Sequence, residues 1–223
     1  MSAVPRYRQP HERAFGLEQL DVKLAMHVKQ TGGFYVEAGA NDGISQSNTL
    51  FFARYRGWRG LLVEPVPELA ARCRALRPES IVEQAALVGP EHASPTIGMR
   101  FAHLMSVVDG ARGSAAADRE HAELGERLQD ITGYELEVPA RTLSAILDAH
   151  GVSEVDLLSL DLEGYEPAAL RGLDLDRHRP AWVLVETWER AAIDELLGPW
   201  YAPVTELSER DVLYRRRRRR RRR

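Results

Sequence analysis

Short apolar runs alternate with helical patterns along most of this sequence. The runs are rich in Val, Leu and Ile and too short for buried helices, so they predict buried strands: FYVEA (34–38), GLLVEP (60–65), SIVEQAALV (80–88), VDLLSLD (155–161) and AWVLVET (181–187). Apolar positions three to four residues apart predict helices between and after them, at 48–56, 67–77, 142–150, 165–171 and 188–197. This alternation is typical of an α/β fold with a doubly wound, mostly parallel sheet that carries helices on both faces.

The two ends of the chain carry different patterns. Four apolar residues within 11–31 have the spacing of an amphipathic helix: Leu17, Leu20, Leu24 and Val28. We therefore expect an N-terminal helical segment over residues 1–33. Two short strand patterns at 200–207 and 211–214 predict a terminal antiparallel hairpin that closes the sheet.

The segment 96–133 interrupts the alternation because it contains no clear strand pattern. Irregular segments of that length in compact domains are often substrate lids, and we expect that role here. The predicted organisation is then the N-terminal segment, one domain over 34–214 that includes this lid, and an arginine tail over 215–223. In an open α/β sheet, ligands bind beyond the carboxyl ends of the strands. The residues that follow each predicted strand are therefore the candidates for a functional site.

Charge is distributed unevenly along the chain. Of its 223 residues, 30 are basic and 33 are acidic, and nine of the basic residues form the C-terminal arginine tail. The rest of the chain is therefore strongly acidic, which disfavours binding to phosphate backbones. The tail predicts a solvated, mobile end or a tag, with a polybasic surface for nucleic acid or anionic membranes as the alternative. We expect no nucleic-acid or membrane partner, and a homodimer stays open.

Compartment signals are few. No apolar run approaches the roughly 20 residues that span a bilayer. The polar start, MSAVPRYRQPHERAFG, does not have the apolar centre of a signal peptide. Cys73 is the only cysteine and has no partner for an internal disulfide. We expect a cytoplasmic location.

The first predicted strand ends in the turn EAGANDG (37–43). Its two glycines, four residues apart, allow a close approach of backbone to ligand, but the spacing differs from the G-x-G-x-x-G that holds a dinucleotide. Glu37 suits a cationic ligand such as S-adenosylmethionine, which carries an ammonium and a sulfonium. Glu64, at the end of the second strand, suits a ribose diol. The alternative is an Asx-rich turn and a strand-end acid without any ligand.

Three further carboxylates, Asp161, Glu163 and Glu186, lie at the ends of later strands. Neighbouring parallel strand ends are about 5 Å apart, so these groups repel one another unless a cation compensates them. The cation could be the sulfonium, a buried arginine, or a metal such as Mg held by Asp161 and Glu186. The alternative is that Glu163 or Glu166 only stabilises the N-terminus of the following helix.

Four blocks in order carry a family resemblance. They are YVEAGANDGISQSNTLFF, GWRGLLVEPVPELAARCRALRP, TLSAILDAHGVSEVDLLSLDLEGYEPAALRG and RPAWVLVET, and the match runs from about residue 34 to 187. Together they resemble the FkbM family of S-adenosylmethionine-dependent methyltransferases. The resemblance implies the class I methyltransferase fold, a seven-stranded Rossmann-like sheet whose last strand is antiparallel. It also implies O-methylation of sugars, polyketides or other natural products as the activity.

The resemblance also implies which residues hold the cofactor. The residues around its methionine part would be Glu37, Gly39, Asn41 and Gly43. Glu64 would hold the ribose, and Asp161 would lie beside the reacting methyl group. Pro65 would border the adenine, and Gln84 and Ala85 would lie near its edge.

An oxygen nucleophile must be aligned with the methyl group, and an alcohol must lose its proton. Asp161 is the first candidate for the general base and His103, in the predicted lid, is the second. A metal held by Asp161 and Glu186 could lower the pKa of the hydroxyl instead. The candidates for contact with the acceptor are Ser106, Arg112 and Trp188.

Other functions stay open at this stage. An RNA-binding or RNA-modifying methyltransferase would use the arginine tail, and a catalytically inactive module would only bind the cofactor. A nicotinamide-dependent oxidoreductase is disfavoured because the G-x-G-x-x-G motif is missing.

Overall fold

The computed structural model describes residues 13–217. Its strands are β1 (Phe34–Ala38), β2 (Arg59–Val63), β3 (Ile81–Glu83), β4 (Ala86–Leu87), β5 (Thr96–Phe101), β6 (Val107–Val108), β7 (Tyr134–Arg141), β8 (Leu157–Leu160), β9 (Trp182–Glu186), β10 (Tyr201–Glu206) and β11 (Asp211–Arg216). Its α-helices are α1 (Leu20–Ala25), α2 (Leu50–Arg56), α3 (Pro67–Leu76), α4 (Ala115–Gln129), α5 (Leu143–Ala149), α6 (Glu166–Arg171) and α7 (Arg190–Leu197).

The main sheet has seven strands in the order β10-β11-β9-β8-β1-β2-β3. Strands β3, β2, β1, β8 and β9 pair in parallel, and β11 pairs antiparallel with both β9 and β10. This confirms the predicted doubly wound sheet and its terminal hairpin. The direction of the connections changes between β1 and β8, so the carboxyl ends of these strands open a crevice there.

Both faces of the main sheet are buried because its strands alternate between two apolar clusters. Val36 faces a cluster with α5, α6 and α7, whereas Tyr35 faces a cluster with α1, α2 and α3. Each strand therefore needs apolar residues at consecutive positions, which explains the continuous apolar runs in the sequence.

A second sheet, in the order β4-β7-β5-β6, covers the carboxyl edge of the main sheet. The expectation that 96–133 contains no strand is wrong, because β5 pairs with β7 along its whole length and α4 follows. Ile97 and Met99 point into a core with Val138, whereas Gly98 and Arg100 alternate with them and weaken the apolar signal. The predicted strand 80–88 is divided between the two sheets, as β3 and β4.

The N-terminal segment is less helical than predicted. Only a 3₁₀ turn at Leu17–Gln19 and the six-residue α1 form, and residues 1–12 lie outside the described part. Glu18 and Gln19 have positive φ angles of 49° and 62°. This left-handed backbone separates the 3₁₀ turn from α1 and prevents one continuous helix. The buried carboxylate of Asp21 accepts a hydrogen bond from the amide of Phe15 at 2.7 Å and folds the preceding chain back over α1.

The predicted boundary of the arginine tail also needs correction. Arg215 and Arg216 belong to β11, and residues 218–223 lie outside the described part. The guanidinium of Arg215 lies 4.8 Å from the centre of the Trp182 ring, and that of Arg216 donates to the carbonyl of Arg179 at 2.8 Å. The guanidinium groups of Arg215 and Arg216, the first two arginines of the predicted tail, therefore have interaction partners within the fold. Within residues 13–217, no helix combines the length and apolarity needed to cross a membrane.

The aromatic core under α2 provides a test of this packing. Phe52 is fully buried and its ring lies 5.1 Å from that of Trp58. Replacing Phe52 with Ala should lower the free energy of unfolding by about 3 to 5 kcal/mol, because it removes a buried ring and leaves a cavity. Urea denaturation measures this change. Leu76→Ala on the half-exposed end of α3 should change it by less than about 0.5 kcal/mol, and equal effects of the two substitutions would contradict the packing described.

Candidate functional site

A cavity of about 390 Å³ lies between the carboxyl edge of the main sheet and the second sheet. Its floor consists of the loops that follow β1, β2, β8 and β9, and its roof consists of β5, the 3₁₀ turn His103–Met105 and α4. Leu17 and Leu20 of the N-terminal segment complete one wall. The cavity thus lies where strand order reverses, as expected for a ligand site in such a sheet.

Gly39 is required where β1 and β8 end side by side. Its φ is +82°, and a Cβ atom there would lie 1.9 Å from the carbonyl oxygen of Asp161. No side chain fits at that distance, so glycine allows the two strand ends to meet at the cavity floor.

Asn41 follows in the same loop with a φ of 50°. Its amide N–H donates to Glu64 at 2.8 Å, and both polar atoms of its buried side chain lack a hydrogen-bond partner among the described residues. Because Asn41 also lines the cavity, these atoms are available to a polar ligand.

Glu64 is a buried acid at the end of β2. Its carboxylate accepts hydrogen bonds from the amides of Asn41 and Val66, at 2.8 and 3.0 Å. Burial raises its pKa to about 7, even though both hydrogen bonds act in the opposite direction. Two lone pairs remain after these bonds, so the carboxylate can still accept from a ligand.

Glu37 does not line the cavity. Its carboxylate instead accepts hydrogen bonds from three donors of the loop that precedes α2: Ser47 Oγ at 2.8 Å, the Asn48 amide at 2.7 Å and Thr49 Oγ1 at 2.7 Å. The structure therefore places Glu37 beneath the loop, away from a ligand in the cavity.

The acidic residues predicted to converge at the strand ends do so. Asp161 follows β8 and Glu186 ends β9, each one position beyond the paired residues Leu160 and Val185, so the two carboxyl groups lie side by side on the cavity floor. Burial, followed by the negative charge of Glu186, raises the pKa of Asp161 well above its usual value. The guanidinium of Arg210 approaches Glu186 to 3.9 Å. A cation in the cavity would favour the ionised form of this pair.

A metal at this point remains a prediction without support from the structure. Within the described residues, no group of three or more His, Cys, Asp and Glu is arranged to hold a metal ion.

The roof contains two of the other predicted residues. His103 and Ser106 both line the cavity, but the Ser106 hydroxyl donates to the His103 carbonyl at 2.7 Å and accepts from the Ala102 amide. Its hydrogen bonds therefore close the 3₁₀ turn.

Trp188 lies at the edge of the cavity between charged neighbours. The guanidinium groups of Arg112 and Arg210 lie 4.2 and 4.5 Å from the centre of its ring. Arg112 is outside the cavity wall and donates to the carbonyl of Glu163 at 3.4 Å.

His121 of α4 is a cavity residue that sequence reasoning missed. Its Nε2 lies 3.0 Å from a carboxylate oxygen of Glu163, which connects the roof to the strand end below. Ser114 was the residue from which the sequence could have predicted α4, because its side chain accepts a hydrogen bond from the Ala117 amide and caps the helix. The helix was missed because its sequence is alanine-rich and only weakly amphipathic.

The predicted cofactor residues fall into two groups. Those on the cavity wall are Gly39, Asn41, Glu64, Pro65, Ala85 and Asp161, and those outside it are Glu37, Gly43 and Gln84. Their roles toward a ligand stay predictions.

The sheet order, its single reversed strand and the position of the cavity define the class I methyltransferase fold. Residues 37–200 match the family model described as Methyltransferase FkbM domain. The chain therefore belongs to the FkbM methyltransferase family, as the sequence resemblance predicts. This family implies S-adenosylmethionine as the methyl donor.

Comparison with solved structures gives distant similarities. A methyltransferase FkbM from Methylobacillus flagellatus has 14% identity and a TM-score of 0.48, over 82% of this chain and 43% of that one. A TehB-like SAM-dependent methyltransferase from Corynebacterium glutamicum and a precorrin-6y C5,15-methyltransferase from Geobacter metallireducens each have 11% identity and a TM-score of 0.43, over 89% of this chain and 88% of theirs. The chain thus spans less than half the length of the first of these structures. A comparison with curated proteins finds no match.

The cavity fits the cofactor that the family implies. Asn41 offers a buried amide without a partner in the described chain, Glu64 has spare acceptor capacity, and Asp161 and Glu186 provide negative charge for a cation. These groups come from the ends of β1, β2, β8 and β9, within the one cavity.

The raised pKa of Glu64 predicts a pH-dependent stability. The folded protein binds the proton of the Glu64 carboxyl more tightly than the unfolded chain does, so protonation of Glu64 stabilises the fold. This contribution to the free energy of unfolding is complete below the unfolded pKa of about 4.5 and is lost as pH rises through about 7. Glu64→Gln should remove this pH-dependent loss of unfolding free energy, which amounts to about 3 kcal/mol at most. Urea denaturation at several pH values between 4 and 8 compares wild type, Glu64→Gln and the exposed control Glu68→Gln. Parallel pH profiles for wild type and Glu64→Gln would refute the assignment.

Proposed function

We propose that this methyltransferase methylates a hydroxyl oxygen of a small molecule, a sugar or another natural product. The observation that carries the proposal is the pair of neighbouring carboxyl groups, Asp161 and Glu186, on the floor of the cavity. The cavity volume of about 390 Å³ falls within the range of small-molecule sites, about 300 to 1,000 Å³.

The carboxylate pair would act on the proton of the acceptor. When bound, S-adenosylmethionine supplies a methyl group that its positively charged sulfur activates. Asp161 is the proposed base, because an acid with a raised pKa is a stronger proton acceptor once it is ionised. The neighbouring Glu186 carboxyl contributes negative charge that raises the pKa of Asp161 and so makes the ionised Asp161 a stronger proton acceptor.

The roof would exclude water and orient the acceptor. Leu104, Met105 and Leu128 supply apolar surface above the strand ends. Water exclusion strengthens the electrostatic interaction between the acceptor hydroxyl and Asp161. His103 lines the same space and is the second candidate for the base.

Asp161→Asn tests the assignment of the base. A panel of hydroxylated metabolites is first screened for formation of S-adenosylhomocysteine, with added Mg and with chelator. On the acceptor found, we expect Asp161→Asn to lower kcat by about 10²- to 10⁴-fold, because a general base typically contributes that much. The affinity for S-adenosylhomocysteine, whose sulfur carries no charge, should change only a few-fold when measured by calorimetry.

Two comparisons control this experiment. Glu91→Gln removes a half-exposed acid outside the cavity and should leave kcat unchanged. His103→Gln should lower kcat less than Asp161→Asn, and the reverse order would transfer the role of base to His103. Unchanged turnover of Asp161→Asn would overturn the assignment, and Mg-dependent activity that chelator abolishes would favour the metal-assisted route.

A further inference from the structure

Arg77 is a buried arginine directly after α3, and neither the proposed reaction nor the sequence motifs explain it. Its side chain is 4% exposed. The guanidinium donates to the carbonyl of Gly43 and to the hydroxyl of Tyr35, both at 2.7 Å. Weaker hydrogen bonds of 3.4 Å reach Ser47 Oγ and Thr49 Oγ1. A buried guanidinium with this many acceptors is held in one orientation.

Cys73, one helical turn earlier, contacts the same loop. Its thiol donates to the carbonyl of Asn41 at 3.0 Å. A Cβ atom on Gly43 would lie only 3.1 Å from the Cγ of Arg77 and 3.3 Å from the Sγ of Cys73. The end of α3 is therefore packed tightly beneath residues 41–43.

Glu37 holds the other half of the loop from the same side. Its carboxylate accepts from Ser47, Asn48 and Thr49, and it faces the guanidinium of Arg77 at 3.9 Å. The two opposite charges are both almost completely buried, and the loop 41–49 lies over them. Removing one charge leaves the other without its compensating partner.

The loop requires such support because its backbone is strained. Asn41 and Gln46 have φ angles of 50° and 59°, a left-handed conformation that non-glycine residues seldom adopt. Such conformations persist only where surrounding contacts hold them. The opposite side of the loop presents Asn41, Ser47 and Asn48 to the cavity, whereas Arg77 and Glu37 lie outside the cavity wall.

We propose that Arg77 is a positioning residue that, together with Cys73, holds the loop 41–49 in the conformation that binds S-adenosylmethionine. Arg77 acts through the loop carbonyls and hydroxyls and does not touch the cofactor. This proposal rests on the proposed function only in that the cavity binds S-adenosylmethionine.

Binding of S-adenosylhomocysteine, measured by calorimetry, tests the proposal in the full-length chain. We expect Arg77→Met to weaken binding about tenfold or more, because apparent affinity falls in proportion to the fraction of molecules with a competent loop. Hydrogen exchange of the ligand-free protein should accelerate at the amides of 41–49 and not in β8 or β9. Arg179→Met is the matched control, since that arginine is also mostly buried but packs on Trp200 and lies outside the cavity wall.

Milder variants keep the proposal testable if Arg77→Met does not fold. Arg77→Lys retains the charge opposite Glu37 but not the forked donor, so it should weaken binding less than Arg77→Met. Cys73→Ser retains a donor for the Asn41 carbonyl and should bind like wild type, whereas Cys73→Ala should bind more weakly than Cys73→Ser.

The outcomes separate this proposal from the proposed function. If the folded variants Arg77→Lys and Cys73→Ala bind within twofold of wild type, with unchanged exchange of the loop, Arg77 only stabilises the fold and the positioning role is overturned. If wild type itself does not bind S-adenosylhomocysteine, both the proposed function and the positioning role are overturned.

Discussion

Negative charge buried at the ends of parallel strands is the constraint on which the site depends. The acids are accommodated in three ways. Glu64 accepts two backbone N–H groups, Asp161 lies beside Glu186 with a raised pKa, and Glu37 faces a buried arginine. Glu166 accepts from the amides of Leu162 and Gly164, and burial still raises its pKa to about 7. The cavity floor thus keeps a capacity for positive charge that its own hydrogen bonds do not satisfy completely.

These arrangements divide the acids by function. The Glu37–Arg77 pair is complete within the protein and shapes the loop, whereas the carboxyl groups of Glu64, Asp161 and Glu186 reach the cavity. A cationic cofactor would therefore meet the incompletely compensated acids and leave the compensated pair undisturbed. The separation follows from position along the strands, because Glu37 lies within β1 and pairs with Leu62 and Ser159, whereas Glu64 and Asp161 lie two positions further on, beyond the ends of β2 and β8.

The sequence was informative wherever a residue's environment is set by its own strand. The buried strands of the main sheet were predictable since both of their faces are apolar, and the acids at their ends followed from the position of those ends. Strand β5 was not predictable, because Gly98 and Arg100 interrupt its pattern and its partner β7 begins more than thirty residues later. The direction of Glu37 was equally inaccessible, since its partners lie in a loop whose conformation depends on Arg77. His121 lies at the cavity only through the packing of α4.

The reversed direction of β11 places its two ends at opposite edges of the main sheet. Asp211 pairs with Glu186 at the cavity edge, whereas Arg215 pairs with Trp182 at the amino end of β9. The strand therefore carries the backbone away from the ligand entrance to the far side of the sheet. The last described residues, up to Arg217, therefore lie at the edge of the sheet opposite the cavity, and this separation keeps the end of β11 from obstructing diffusion of a ligand into it.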